Sequence, residues 1–213
     1  VVGPAVDKFM LYIHAKPRYF PVVGEWLARR YESLPYPSGL PRGGYAWGGE
    51  TIQVSQLDVP NEWLGKPFRI TTLGEGAYTL SDKITGATFK GTVGKPEHFL
   101  LPGGGALDVH IDALSGRPGT EFTVSRTSRL AAIEDVQSRL GIFERGRTSG
   151  VIGVTLEGND PALTTAVLNQ IGQEYVQQNV NRKSAQAEKS LAFLDEQLPQ
   201  LKRELDAAET KYN

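Results

Sequence analysis

The chain has 213 residues, enough for one large domain or two small ones, and its 39% hydrophobic residues, 24 Gly and 13 Pro predict a turn-rich globular protein. The net charge of −1 predicts no global attraction to nucleic acid or anionic lipid. The absence of cysteine excludes disulfides, thiolate metal sites and cysteine nucleophiles. Because the chain lacks an initiator Met and stops inside a heptad pattern, we expect it to be a piece of a larger protein.

Two short helices and a loop are predicted before residue 50. Pro4–Ile13 has apolar residues at helical spacing, and the helix should end before Pro17 because a residue that precedes proline avoids helical dihedrals. Val23–Tyr31 predicts a second amphipathic helix. The density of Pro and Gly from Leu34 to Gly49 is typical of a loop, so a domain boundary is expected there.

Residues 50–118 show the period-two alternation of β-strands, separated by turn clusters. The alternating apolar pairs are Ile52 and Val54, Phe68 and Ile70, Tyr78 and Leu80, and the run Leu107, Val109, Ile111 and Ala113. The predicted turns lie at 73–76, 82–86 and 102–105. Several short strands without intervening helices favour a β-sandwich or jelly roll.

The sequence after Gly119 alternates between helical and strand patterns. Glu121–Ser125 predicts a strand, Leu130–Leu140 a helix, and Gly150–Leu156 a buried strand. The inner side of that helix is predicted to carry Leu130, Ile133, Val136, Gln137 and Leu140. We therefore predict an α+β fold, in which an α/β base domain of residues 1–48 and 119–160 is interrupted by a jelly-roll-like β-sandwich of residues 49–118.

A long protruding C-terminal helix is predicted over residues 161–213. Asp160 and Pro161 form a strong start signal, because Asp accepts from an early helical N–H and Pro fits the first helical position. The helix would be about 80 Å long, with a kink at Pro199. A heptad seam that calls for a partner helix comprises Leu191, Leu194, Leu198, Leu201, Leu205, Ala208 and Tyr212.

Motifs for catalysis, metals or cofactors are weak, so no catalytic residue, metal ligand or cofactor is predicted. Gly141 to Thr148 nearly fits a phosphate-binding loop, but a helix precedes it and a strand follows, which favours a hairpin turn. His110 and Asp112 share a strand face, and either a metal or acid–base pair or a solvated face fits them; no third ligand or base is evident.

Aromatic residues of the β-rich region provide candidate sugar contacts. Trp47, Trp63 and Tyr78 are the candidates, because aromatic rings on a β-sandwich can stack on sugar rings. The alternative is that these side chains pack in the core, where Trp and Tyr bury large areas.

A polar island interrupts the long helix from Gln177 to Lys183. It is either a solvated face or a contact between subunits, since polar residues can set register against a neighbouring helix. The candidate oligomer contacts in and beside this island are Asn179, Arg182, Lys183, Ser184 and Glu188.

The run from Gln178 through Pro199 resembles the "QNIERKSAEAEKSLAFL…QLP" segment of the polysaccharide co-polymerases, the Wzz-type chain-length determinants. Within that family it is similar to the branch joined to bacterial tyrosine autokinases in capsule and exopolysaccharide export. Shorter matches support the resemblance at 16–21, 119–124, 149–152 and 159–161.

This resemblance implies a periplasmic region held between two inner-membrane helices, assembled as a ring-like homo-oligomer and followed by a cytoplasmic kinase domain. The implied function is a non-catalytic scaffold that governs polymerisation, chain length or export of a polysaccharide, with a polymerase and an outer-membrane exporter as partners. The alternative is a carbohydrate-binding module that contacts the nascent polysaccharide through the sandwich. Kinase activity is not assigned to this chain, and a kinase domain fused in its parent stays open.

Overall fold

The computed structural model describes residues 1–21, 24, 28, 43–82, 84–102, 104–146 and 151–212. The elements, in chain order, are α1 (Val2–Lys8), β1 (Ile13–Pro17), β2 (Thr51–Asp58), a 3₁₀ helix (Asn61–Trp63), β3 (Phe68–Gly74), β4 (Ala77–Asp82), β5 (Thr88–Thr92), β6 (Pro96–Leu100), β7 (Ala106–Ser115), β8 (Glu121–Arg126), α2 (Arg129–Ser138), β9 (Leu140–Glu144), β10 (Ile152–Leu156) and α3 (Pro161–Tyr212). They form two compact units, Val6–Ser138 and Val1–Ala5 with Arg139–Asn213. Apart from residues 24 and 28, the predicted helix over 23–31 lies outside the described residues, as does most of the loop after it.

The larger unit is built around a β-sandwich. Its strands form an antiparallel five-stranded sheet in the order β1-β8-β3-β4-β5 and an antiparallel three-stranded sheet in the order β2-β7-β6. Alternate side chains of both sheets enter one core, which comprises Leu57, Trp63, Phe68, Ile70, Tyr78, Leu80, Leu101, Leu107, Val109, Ile111, Phe122 and Val124. The alternation read from the sequence therefore gives the buried face of each sheet.

The strand β8 lies between β1 and β3. Phe68 and Ile70 of β3 are opposite Val124 and Phe122 of β8, and β1 pairs with the other edge of β8. One sheet thus contains strands from both sides of the predicted boundaries near residues 48 and 119. The division into base and insertion stays a prediction.

The first helix is shorter than predicted, because the segment that starts at Ile13 is a strand. The helix α1 ends at Lys8, and Met10 has a φ of 48° in the turn that follows. Ile13 then pairs with Arg126 at the start of β1. The prediction of helix through Ile13 was wrong because pairing with a strand far along the chain outweighs the local apolar spacing.

Tyr78 and Gly91 face each other across β4 and β5 on the buried side of the sheet. A Cβ at Gly91 would overlap the Tyr78 ring, so the glycine makes room for the aromatic side chain. The Tyr78 hydroxyl is buried, and no hydrogen-bond partner for it occurs in the described residues. Burial, with a smaller contribution from Glu97, raises the pKa of Tyr78 to about 12.

Asp82 closes the predicted turn between β4 and β5. It is 2% exposed, and its carboxylate accepts from the Ile84 N–H at 2.9 Å and from the Thr85 N–H and hydroxyl at 2.7 Å. Burial alone would raise the pKa of Asp82, but these hydrogen bonds and the charge of Lys66 outweigh it and lower that pKa.

The helix α2 begins at Arg129, one residue before its prediction, and ends at Ser138, two residues before its prediction. Ser128 caps its N-terminus by accepting from the Ala131 N–H at 3.1 Å. The predicted inner face of α2 was correct at Val136 and wrong at Leu130 and Gln137, which are exposed. Ala132 and Val136 are its buried residues, whereas Leu130 is 65% exposed. The apolar spacing was read from the larger side chains, and the small Ala132 was left out.

The smaller unit contains a hairpin and the long helix. The strands β9 and β10 pair from Leu140 opposite Leu156 to Glu144 opposite Ile152, which confirms a hairpin around Gly146 in place of a phosphate loop. The prediction that the second strand is buried was wrong, since Ile152 and Val154 are 50% and 38% exposed. Residues 147–150 lie outside the described residues.

The helix α3 has 52 residues, which corresponds to about 78 Å at 1.5 Å per residue. Asp160 accepts from the N–H groups of Ala162 and Leu163 at 2.9 and 3.0 Å, as the start signal predicts. The helix continues past Pro199. Antiparallel sheets with a long C-terminal helix confirm the α+β fold class. Within the described residues, no helix combines the length and the apolar character needed to cross a membrane.

Candidate functional site

The polar island lies on the solvent-exposed middle of α3. Arg182, Lys183, Ser184 and Glu188 are exposed, and Asn179 is half-buried. Two hydrogen bonds join side chains of the island within the helix: Arg182 donates to Asn179 Oδ1 at 3.2 Å, and Gln177 donates to Asn181 Oδ1 at 2.9 Å. The polar side chains of the island are therefore largely exposed and oriented by hydrogen bonds to one another.

The five candidate contact residues do not form one face. At about 100° per residue, Asn179, Arg182 and Lys183 lie on one side of the helix. Ser184 and Glu188 lie four residues apart on another side. A contact that used all five would need a neighbour on each side of α3.

The heptad seam is exposed beyond the island. The exposed fractions are 61% for Leu191, 51% for Leu194, 59% for Leu198, 58% for Leu201 and 59% for Leu205. The side chains of Ala208 and Tyr212 lie outside the described residues. A row of five leucines at heptad spacing is a surface that gains free energy by burial against another helix.

The three aromatic sugar-contact candidates are buried. Trp47 and Trp63 are 5% and 6% exposed, and Tyr78 is 0% exposed. Phe20 stacks on Trp47 at 5.5 Å between ring centroids, and Phe68 stacks on Trp63 at 5.6 Å. The rings are occupied by protein contacts, which argues against their use as stacking platforms.

The outer face of the three-stranded sheet brings histidines and aspartates together in pairs. His98 Nδ1 lies 2.5 Å from Asp108 Oδ1, and His110 Nε2 lies 3.9 Å from Asp112 Oδ1. Ser55 also donates to Asp112 at 2.9 Å. No group of three or more His, Cys, Asp or Glu residues that could hold a metal ion occurs in the described part of the chain.

A cluster of arginines around Glu121 was missed by sequence reasoning. Arg18 forms an ion pair with the Glu121 carboxylate, whose Oε2 also lies 3.4 Å from Arg69 Nε. The hydrogen bond to Glu121 raises the pKa of the Arg18 guanidinium, which also lies over the Tyr45 ring at 4.7 Å. The pairing of β1, β8 and β3 brings these residues together, so the alternation of polar positions could have found them if the strand order had been known.

The family model described as tyrosine-protein kinase Wzc, N-terminal domain, matches residues 13–127, more than half of the chain. The chain belongs to this family. It is 47% identical over 213 residues to EpsB of Ralstonia nicotianae, 35% identical over 217 residues to the tyrosine-protein kinase wzc of Salmonella typhimurium, and 35% identical over 215 residues to the tyrosine-protein kinase etk of Escherichia coli K12.

Membership in the Wzc N-terminal domain family confirms the resemblance to the co-polymerase branch associated with tyrosine autokinases. The matches cover the whole chain but 27–28% of the length of these relatives. The chain therefore corresponds to the N-terminal domain region of much longer proteins.

Proposed function

We propose that the chain is a non-catalytic periplasmic scaffold of an inner-membrane polysaccharide co-polymerase, which controls chain length and export through homo-oligomer assembly. The observation that carries this proposal is α3, whose polar island and leucine seam are both exposed. A helix that displays two kinds of contact surface suits a protein that works by holding copies together.

Weak contacts are sufficient for such a scaffold once the copies are anchored in one membrane. Anchoring raises the effective concentration of neighbours, so a contact too weak to hold isolated chains in solution still assembles a ring. A polysaccharide polymerase and an outer-membrane exporter are the partners that this role requires.

The parent protein is proposed to carry, or to act with, a cytoplasmic tyrosine kinase domain. The support is that the relatives wzc and etk are named tyrosine-protein kinases and extend well beyond the region that this chain matches. The catalytic role would then belong to the parent outside the residues of this chain.

The experiment is light scattering of the full-length parent in detergent, with and without charge reversal on the island. We expect the wild type to be an oligomer and the Arg182→Glu/Lys183→Glu double variant to have a lower mass, because repulsion or lost pairing weakens a contact between copies. Polymer length, read from gels of the exported polysaccharide, should shift in the same variant.

The matched control is Lys16→Glu/Lys90→Glu, which changes the net charge equally on two exposed lysines of the sandwich. Its mass should equal that of the wild type. A monomeric wild type would overturn the scaffold, and an unchanged mass and polymer length in the Arg182→Glu/Lys183→Glu variant would overturn the assignment of the contact to the island.

A further inference from the structure

The outer face of the five-stranded sheet carries polar side chains in two registered rows. Directly opposed residues of neighbouring strands point to the same side of a sheet, so the pairing fixes each row. The first row is Lys16, Thr123, Arg69, Ser81 and Thr88. The second row is Arg18, Glu121, Thr71, Thr79 and Lys90, in which the Arg18 N–H donates to the Glu121 carbonyl at 2.9 Å. We call these ten residues the cationic face.

The cationic face has an excess of positive charge. Its four cations are Lys16, Arg18, Arg69 and Lys90, and its one carboxylate is Glu121, which already contacts both arginines. The chain as a whole has a net charge of −1. The cationic face therefore has a local positive electrostatic potential, although the net charge of the chain is slightly negative.

The outer face of the three-stranded sheet has the opposite character. Its pairing places Asp58 opposite Asp108, and Asp112 lies on the same side. Asp58 forms an ion pair with Arg126, and Asp108 and Asp112 lie beside His98 and His110. Of the two outer faces, the cationic face is therefore the one that carries lysines and arginines without such a one-to-one carboxylate partner. Such an uneven distribution favours binding of anions on one side of the sandwich alone.

The cations are spread across the sheet. Lys16 is on β1 and Lys90 is on β5, four strand spacings apart, which at 4.8 Å per spacing is about 19 Å. Both lysines are exposed, and no ion pair of either occurs among the described residues. A single small anion cannot contact both ends of the face, whereas an extended polyanion can.

The chemistry between the cations points to a ligand rich in hydroxyl groups. Threonine and serine occupy five of the ten positions, Arg69 is at the centre of the first row, and neither row contains an apolar or aromatic side chain. The hydroxyls of Thr79 and Ser81 donate to backbone carbonyls of β3 at 3.4 Å and keep their lone pairs as acceptors. Protein partners bind most strongly through buried aromatic or aliphatic anchors, which this face does not offer. A second copy of the chain is therefore the weaker candidate.

We propose that the cationic face binds an acidic polysaccharide, with carboxylates of the polymer at Lys16, Lys90 and the arginines, and its hydroxyls at the threonine and serine rows. The polymer class rests on the proposed function in polysaccharide export. The binding surface itself rests on the strand register and charges.

The test is the binding of the purified 213-residue chain to immobilised polygalacturonate and to dextran, a neutral polymer. Binding should occur on polygalacturonate alone and weaken as salt rises from about 50 to about 300 mM, because salt shortens the Debye length and screens the attraction between exposed charges. The Lys16→Glu/Lys90→Glu variant should lose about tenfold in affinity, and Lys16→Gln/Lys90→Gln should lose less, because each exposed charge contributes a modest share. The glutamine variant removes the two positive charges without adding carboxylates, so a loss of binding in it cannot be caused by a folding defect that the carboxylates introduce.

The control is Lys95→Glu/Lys189→Glu, at two exposed lysines outside both the cationic face and the candidate oligomer contacts. It has the same net charge as the glutamate variant and should bind polygalacturonate as the wild type does. Equal losses in both variants, or no binding at low salt, would overturn the proposal. If the wild type does not bind polygalacturonate and Lys16→Glu/Lys90→Glu has a lower solution mass than the wild type, the cationic face contacts a second copy of the chain instead. Equal binding to dextran and polygalacturonate would contradict the proposal that the ligand is acidic. None of these results depends on the oligomer test on α3.

Discussion

The sandwich and the helix α3 use apolar residues in opposite ways. In the sandwich, large side chains such as Phe68 and Phe122 are fully buried in one core shared by two sheets. In α3, leucines such as Leu198 remain more than half exposed although they follow a regular heptad. The difference shows that the first pattern is satisfied within the chain, whereas the second indicates a surface for contact with another helix.

The largest difference in unfolding free energy between the two regions is expected when one apolar residue in each is truncated to alanine. Phe122→Ala should reduce the free energy of unfolding by about 3–5 kcal/mol, since it leaves a cavity in the core. Leu198→Ala should change it by less than about 0.5 kcal/mol in the isolated chain, because its side chain is already hydrated. Urea unfolding measures both, with the fluorescence of the buried Trp47 and Trp63 reporting on the sandwich and far-ultraviolet circular dichroism reporting on α3. Similar losses in the two variants would contradict the comparison.

A smaller effect is expected from Asp82, which depends on pH. Its lowered pKa stabilises the fold above the unfolded value of about 3.9, and that stabilisation is lost as the pH falls through the folded value. Asp82→Asn should lose about 2 kcal/mol at pH 7, and the gap from wild type should narrow at pH 3. Urea unfolding at both pH values tests this. A gap that is constant with pH would mean that the charge of Asp82 plays no part.

The smallest effect is expected from adding one methyl group to a glycine in each region. Gly91→Ala should destabilise the sandwich by about 1 kcal/mol or more, because its Cβ would overlap the Tyr78 ring. Gly172→Ala should stabilise the helix α3 by up to about 1 kcal/mol, since the added Cβ meets no neighbouring atom and alanine is a better helix former than glycine. Thermal unfolding followed by circular dichroism gives the two signs. The same sign in both variants would contradict the distinction between packed and open positions.

The parts of the fold that depend on local chemistry could be predicted from the sequence. Asp160 and Pro161 start α3 because capping and the first-turn preference of proline involve neighbouring residues alone. The alternation of Phe68 and Ile70 gave the correct buried face for the same reason. Turns such as that at Gly74 and Gly76, both with positive φ, also followed from residue type.

The parts that depend on distant pairing could not be predicted. Ile13 belongs to a strand because Arg126 lies opposite it, and no local signal contains that information. The same holds for the cluster of Arg18, Arg69 and Glu121, which three strands bring together. Trp63 and Tyr78 were open to two readings from residue type, and their burial became evident when the two sheets were seen to share one core.

The position of β8 between β1 and β3 has a consequence for the time course of synthesis. The two strands β1 and β8 are separated by more than 100 residues along the chain. At about 5–20 residues per second, β1 is complete about 5–20 s before its partner exists. During that interval β1 has no native neighbour at the edge where β8 will bind, and exposed strand edges promote aggregation. The nascent chain therefore has a period of vulnerability that ends when residue 126 emerges.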